Sequence, residues 1–116
     1  MIIERSWGYY QVLYTADSFH VKELVIKPHS SLSMQRHKYR SETWNVVEGK
    51  AHVILNNDMI QLKKEENIFI PVNTWHKGIN ESDEECHIIE IWRGENKVNG
   101  KYYFSEEDIE RKRLIM

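Results

Sequence analysis

Turn signals interrupt this chain so often that the segments between them have room for little more than one strand each. That rhythm constrains the fold more than any other feature. "VKELVIK", starting at Val21, alternates so that Leu24 and Ile26 share a face, and "PHSS" then breaks it. "LSMQRH" is a second candidate strand. "ETWNVVE", from Glu42, runs into "EGK", where Gly49 is free to take a positive φ, and "AHVIL" follows, so residues 42–55 read as a hairpin. "NND" turns the chain into "MIQL", and the charged "KKEEN" leads to "IFIPV". "WHKGIN" and "CHIIEIWR" flank the polar loop "ESDEE". No long helical segment separates these strands, which argues against a parallel βαβ arrangement and for an all-β sandwich or barrel. The end changes character. Ser105 stands three residues before Asp108 with capping-box spacing, and "EEDIERKRL" has acids first and bases last. The pattern predicts a short C-terminal helix over about 105–114, behind an N-terminal strand at about 5–15 and a barrel at about 20–94.

A length of 116 residues suits one domain with one core. Net charge is −2 with both signs interspersed, which argues against nucleic-acid or membrane-surface partners. A small anionic ligand would need a local basic pocket that net charge cannot reveal. The single cysteine, Cys86, cannot form an internal disulfide, and it reads as a small strand residue in a reducing compartment. No apolar run approaches the ~20 residues of a membrane helix, and "MIIERSWGYY" does not read as a signal peptide, so the expected location is the cytoplasm.

Against this β background, four polar residues stand out. Gln35 and His37 are two apart, hence on one face of a strand. Glu42 opens the next strand and shares its face with Trp44 and Val46, and His76 comes much later, after Pro71. Closure of the strands into a barrel would let all four converge. Two imidazoles, a carboxylate and an amide oxygen make a mixed N/O site of the kind that suits Zn²⁺, Mn²⁺, Fe²⁺ or Co²⁺. Taken singly, each has an ordinary alternative as a hydrogen-bonded or exposed strand residue.

The spacing of these residues resembles the cupins. The first cupin motif is Gly, five residues, His-x-His, four residues, Glu, six residues, Gly. Here it reads His29, five residues, Gln35-x-His37, four residues, Glu42, six residues, Gly49. The second is Gly, five residues, Pro-x-Gly, two residues, His, three residues, Asn. Here it reads Glu65, five residues, Pro71-x-Asn73, two residues, His76, three residues, Asn80. Three motif glycines are replaced, by His29, Glu65 and Asn73, all at turn positions. The run Leu32-Ser33-Met34-Gln35-x-His37-x-x-Arg40-x-Glu42-x-Trp44-x-Val46-Val47-x-Gly49, with "IFIPVNTWHKGIN" and "IIEIWRG", resembles type II mannose-6-phosphate isomerases. In bacteria these form the C-terminal cupin domain of bifunctional mannose-1-phosphate guanylyltransferases.

The resemblance spans residues 5–111. It implies a double-stranded β-helix (a jelly-roll barrel) and one divalent metal, Zn²⁺ first and Mn²⁺, Co²⁺, Fe²⁺ or Ni²⁺ as alternatives, held by Gln35, His37, Glu42 and His76. It also implies a sugar-phosphate substrate and a homodimer, for which "SWGYYQVL" is the strand that could pair. Glu90, a carboxylate among apolar strand residues, is the candidate base. Arg40 is a candidate catalytic group and, with Lys77 and Trp44, a candidate substrate contact, its guanidinium offering a fork to the phosphate. Trp7, Trp75 and Trp92 are assigned to packing, and His20, His29, His52 and His87 are left as structural. The sequence holds no segment resembling a guanylyltransferase domain. The family's terminal D-x-Y-G-R element does not follow "EEDIERKR", which leaves Arg111 or Arg113 to replace it. The expected activity is interconversion of mannose 6-phosphate and fructose 6-phosphate. The alternatives are a cupin that binds a sugar or sugar phosphate without turning it over, and one with a different small-molecule substrate.

Overall fold

The computed structural model describes residues 1–94, 97–98, 101–102 and 109–112. They form strands throughout: β1 (Ile2–Arg5), β2 (Gly8–Thr15), β3 (Phe19–Ile26), β4 (Ser30–Ser31), β5 (Met34–His37), β6 (Arg40–Glu48), β7 (Ala51–Leu55), β8 (Asp58–Leu62), β9 (Asn67–Ile70), β10 (His76–Asn80), β11 (Cys86–Gly94), β12 (Lys97–Val98), β13 (Lys101–Tyr102) and β14 (Ile109–Lys112). One sheet runs β1-β2-β3-β11-β6-β9 and the other β14-β5-β10-β7-β8, with β4 also on β10, and β12 pairs with β13. The pairings between these strands are antiparallel. The core lies between the two large sheets: Leu24, Ile26, Val46, Ile70 and Ile88 from the first meet Ala51, Val53 and Leu62 from the second.

Alternation along the strands explains this core, and it also places the site. Residues in phase on β3, β11, β6 and β9 form cross-strand rungs: Leu24–Ile88–Val46, then Lys22–Glu90–Trp44–Ile68, then His20–Trp92–Glu42–Ile70. Leu24, Ile88 and Val46 are buried, as are Glu90, Trp44, Trp92 and Glu42. The interior face therefore changes from apolar to polar within two rungs. Cys86 ends the apolar part, fully buried, and burial pushes its thiol up to about 11, far from a nucleophile's range.

Four expectations are corrected. Residues 42–55 are not a hairpin: β6 pairs with β11 and β9, whereas β7 pairs with β10 and β8, so the turn at Gly49 carries the chain from one sheet to the other. Gly49 has φ 81°, and a Cβ there would come within 2.5 Å of the Glu85 carbonyl oxygen, so this crossing needs glycine. The single N-terminal strand is two, β1 and β2, folded into a hairpin. "SWGYYQVL" is no open edge, because β2 lies between β1 and β3, and β1 is the outer strand. Residues 109–112 form a strand on β5, with Arg111 in register with Gln35, where a helix was expected. Residues 105–108 and 113–114 of that predicted helix, and Arg113 with them, lie outside the described residues.

The three positions where the motif has glycine are all left-handed: φ is 54° at His29, 75° at Glu65 and 55° at Asn73. The turns of the pattern are thus kept without the residue that makes them easy.

Candidate functional site

Glu42 is the centre of the site. It is buried, and its two oxygens face two imidazoles: Oε2 lies 3.1 Å from His37 Nε2 and Oε1 lies 3.3 Å from His76 Nε2. The second-motif turn fastens these elements together. The Asn73 N–H donates to the His37 carbonyl at 2.7 Å, joining the approach to β10 to the end of β5. Asn80, with no exposed surface, donates to the carbonyls of Ile26, Lys27 and Glu84 and accepts from Ser82, which anchors the far end of β10. The motif asparagine is therefore a backbone clamp.

His76 Nδ1 lies 2.8 Å from the Thr74 carbonyl oxygen. A carbonyl only accepts, so Nδ1 carries the proton and a neutral ring keeps its lone pair on Nε2. That atom is buried, has no hydrogen-bond partner and faces a carboxylate oxygen. Two acceptors facing each other at this distance need a proton or a cation between them. The ligand atoms of His37, Glu42 and His76 lie within 4.8 Å of one another, and two imidazoles with one carboxylate suit a borderline divalent ion, so these residues could hold a metal. Gln35 stands in register with His76 and lines the same cavity, with its side-chain nitrogen 3.5 Å from the Ser33 carbonyl.

Charge follows this geometry. Burial alone would raise the Glu42 carboxyl, but the adjacent His37 and His76 rings outweigh it and hold the group well below the usual range. Burial lowers His37, and Arg40 and His76 lower it further, so it stays down despite Glu42. For His76 burial also pulls down, but Glu42, the Thr74 carbonyl and Glu90 outweigh it and the net direction is up.

Glu90 lies one rung away. Its Oε2 accepts the Trp44 indole N–H at 2.8 Å, its Oε1 accepts the Trp92 indole N–H, and Lys22 Nζ is 4.0 Å from Oε1. The Trp44 N–H is shared, reaching Glu42 Oε1 at 3.1 Å as well. Burial, and then the charge of Glu42, push the Glu90 carboxyl up to about 7, against the opposing pull of Lys22, Arg40 and the Trp92 hydrogen bond.

A cavity of about 600 Å³ opens onto this group. It reaches Gln35, His37, Glu42, Glu90, Arg40, Trp44 and Lys77, so every sequence candidate except His76 lines it, and His76 lies directly behind Glu42. Trp44 is also core: it is 1% exposed, its ring is edge-on to His76, and a Cβ on Gly78 would sit 2.9 Å from its Cζ3, so Gly78 gives it room. Lys77 alternates with inward-facing His76 on β10 and is half-buried, and it still lines the cavity.

Arg40, a candidate for both catalytic and substrate-contacting roles, faces the cavity. It is buried, with Nη2 3.4 Å from His37 Nε2 and Nε 3.6 Å from Glu42 Oε2, and its Nε and Nη1 have no hydrogen-bond partner. It stands beside the candidate metal ligands. Trp7 and Trp92, expected only to pack, line the cavity, and His20, left as structural, stacks on Trp92 with ring centroids 5.8 Å apart. Lys22, Tyr10 and Arg5 were not anticipated. The sequence did carry a signal for Lys22, which is in phase with Leu24 and Ile26 and so is a charged residue on the buried face of its strand.

Comparison with known proteins agrees with this architecture. Residues 1–113 match the family model described as "Mannose-6-phosphate isomerase C-terminal". The chain is 34% identical over 109 residues to "Alginate biosynthesis protein AlgA" of Pseudomonas putida and 33% identical over 109 residues to "Mannose-1-phosphate guanylyltransferase" of Escherichia coli; the matches cover 94% of this chain and 21% of each relative. It therefore spans about a fifth of the length of the curated relatives it matches. Among solved structures, the Cnp3 cupin domain of Schizosaccharomyces pombe superposes with a TM-score of 0.72 at 15% identity, covering 75% of this chain and 64% of that one, which shows the fold alone. With motif spacing, double-sheet barrel and family model in agreement, the chain belongs to the mannose-6-phosphate isomerase C-terminal family, built on the cupin double-stranded β-helix.

Proposed function

We propose that this domain is a metal-dependent aldose–ketose isomerase that interconverts mannose 6-phosphate and fructose 6-phosphate. The observation that carries the reading is the company Glu90 keeps. Trp44, Trp92 and Lys22 are all hydrogen-bond donors that cannot accept a proton, with Trp44 and Trp92 donating and Lys22 at 4.0 Å. A proton on Glu90 has no protein acceptor among them and is directed to whatever occupies the cavity. A group that titrates near 7 in that setting can both take and return a proton at neutral pH.

In the isomerisation, Glu90 removes the proton from C2 of the open-chain aldose and later returns it to C1, while the O2 proton passes to O1, so that the enediol between them collapses to the ketose. The products are a C2 carbonyl and a C1 hydroxymethyl group, with no net change in atoms or charge. Arg40, with buried unpartnered N–H groups next to Glu42, would hydrogen-bond the sugar oxygen on which charge develops. Gln35, His37, Glu42 and His76 would hold the divalent ion, with Zn²⁺ the first candidate, and that ion would polarise the sugar carbonyl. Gln35 contributes a neutral oxygen, which leaves the ion a stronger electron acceptor than a second carboxylate would. The homodimer is assigned to the outer edge of β1, in a hairpin where Ile2, Val12, Leu13 and Tyr14 are exposed.

The test is a coupled assay for fructose 6-phosphate from mannose 6-phosphate, using metal-stripped protein re-supplied with Zn²⁺, Mn²⁺ or Co²⁺. His76→Ala and Glu90→Gln serve as controls. Metal-dependent turnover lost in both variants supports the reading. Absence of turnover in protein shown to bind a metal at this site rejects it in favour of a sugar-binding cupin or another substrate.

A further inference from the structure

One wall of the cavity alternates cations with aromatic rings. The guanidinium carbon of Arg5 lies 5.4 Å from the Tyr10 ring centroid. Lys22 Nζ lies 4.3 Å from the same centroid and 4.0 Å from that of Trp92. The guanidinium carbon of Arg40 lies 3.5 Å from the Trp92 centroid. The five residues come from β1, β2, β3, β11 and β6, successive neighbours in one sheet, and all line the cavity. The series runs from Arg5, exposed at the turn into β2, to Arg40, buried beside Glu42.

Holding cations on ring faces has a chemical consequence. A ring attracts the charge without neutralising it. Beside the rings, Arg5 donates to the Glu4 carbonyl at 2.9 Å and to the Tyr10 hydroxyl at 3.4 Å, Lys22 Nζ lies 4.0 Å from Glu90 Oε1, and Arg40 Nε lies 3.6 Å from Glu42 Oε2. The wall thus concentrates three positive charges in a chain whose net charge is −2. Of the two carboxylates lining the cavity, Glu42 is engaged by His37 and His76, and Glu90 takes up protons near 7.

We propose that the Arg5–Tyr10–Lys22–Trp92–Arg40 wall is a phosphomonoester-binding subsite. Lys22 and Arg5 receive the phosphate, and Arg40 remains at the reacting end. The assignment rests on the sugar-phosphate reading above and replaces the phosphate role first expected of Arg40 and Lys77. It fits the shape of the substrate: the phosphate is at C6 and the reacting carbons are C1 and C2, so the two ends need cations at separate places. Arg40 Nε, 3.6 Å from Glu42 Oε2, is tied to the reacting end. Tyr10 and Trp92 act as positioning residues that hold the cations apart and in line.

Binding of inorganic phosphate to the full chain, followed by titration calorimetry, tests the subsite without requiring turnover. Lys22→Met is expected to weaken phosphate binding at least tenfold and Lys22→Arg to restore most of it. Arg5→Gln, at an exposed turn outside the core, is expected to weaken it several-fold. Tyr10→Leu is expected to weaken it too, although it removes no charge. Lys64→Gln, on an exposed loop with its ammonium 3.5 Å from Glu48, should leave it unchanged. Unchanged affinity in Arg5→Gln and in folded Lys22→Met overturns the proposal, as does weak binding that responds equally to Lys64→Gln. Phosphate binding that depends on Arg5 and Lys22 in protein that does not isomerise mannose 6-phosphate would leave the subsite standing and reject only the isomerase reading.

Discussion

Replacing Glu65 by glycine is expected to stabilise the protein, although it deletes an entire side chain. Glu65 has φ 75°, in the left-handed region, where the Cβ of an L-residue crowds the following carbonyl at a cost of about 1–2 kcal/mol. The side chain is exposed, so little burial is lost. The anchoring bond, from the Glu65 N–H to the Val46 carbonyl at 2.8 Å, belongs to the backbone and survives. Glycine adds unfolded-chain entropy worth about 0.5–1 kcal/mol. The difference leaves a net gain of about 0.5–1 kcal/mol, or roughly 2–4 °C in Tm for a domain of this size. Urea denaturation followed by tryptophan fluorescence measures it, with Glu65→Ala as the deciding control. Alanine removes the same carboxylate but keeps the Cβ, so it should gain nothing. Equal stabilisation by alanine and glycine would place the effect in the charge and refute the backbone argument. His29→Gly should gain less, because its exposed 2.7 Å contact with Asp83 is lost. Asn73→Gly should gain least, because asparagine tolerates this conformation.

Other outcomes follow from the buried groups. Glu90 holds its proton to about 7 in the folded chain and loses it near the ordinary carboxyl value when unfolded, so native protein binds more protons between those limits and stability falls as pH rises through them, by about 3 kcal/mol at most. Glu90→Gln in metal-stripped protein should therefore match the parent near pH 5, exceed it in stability at pH 8, and lack isomerase activity; denaturation at the two pH values checks the first two points and the coupled assay the third. Glu42 is shifted the opposite way, so its contribution is present above the ordinary carboxyl value and fades as pH falls below it; acid unfolding of Glu42→Gln should lose that dependence. Gly78→Ala would drive a Cβ to 2.9 Å from Trp44 and should cost about 1–3 kcal/mol, with a change in tryptophan emission. His76→Ala should weaken Co²⁺ binding at least tenfold, read from the visible spectrum of the ion.

What could be read from the sequence was what depends on short range. Strand alternation placed Leu24, Ile26, Trp44 and Val46 in the core, and the two motif spacings brought His37, Glu42 and His76 together. Partner choice between strands was not legible, because a period of two says which residues share a face and nothing about which strand lies alongside. That is why residues 42–55 read as a hairpin although β6 and β7 lie in different sheets. At the C-terminus, local capping and dipole signals argued for helix, while the edge of β5 offers residues 109–112 a backbone partner that overrides a weak propensity. The cation wall was hidden for the same reason as the sheet order. Lys22 could be recognised as inward-facing, but Tyr10 and Trp92 become its neighbours only once β2, β3 and β11 are adjacent.

Trp44 has one indole proton and two carboxylates to satisfy with it. The consequence is for the freedom of these three positions to vary. Phenylalanine at position 44 would keep much of the packing and leave both acids short of a donor, and a change at either acid alters how the remaining one shares the proton. Glu42 and Glu90, far apart in the chain and given different tasks, are therefore bound into one unit of substitution. A double-mutant cycle on the pair should depart from additivity in the parent and approach additivity in a Trp44→Phe background, where the shared donor is gone.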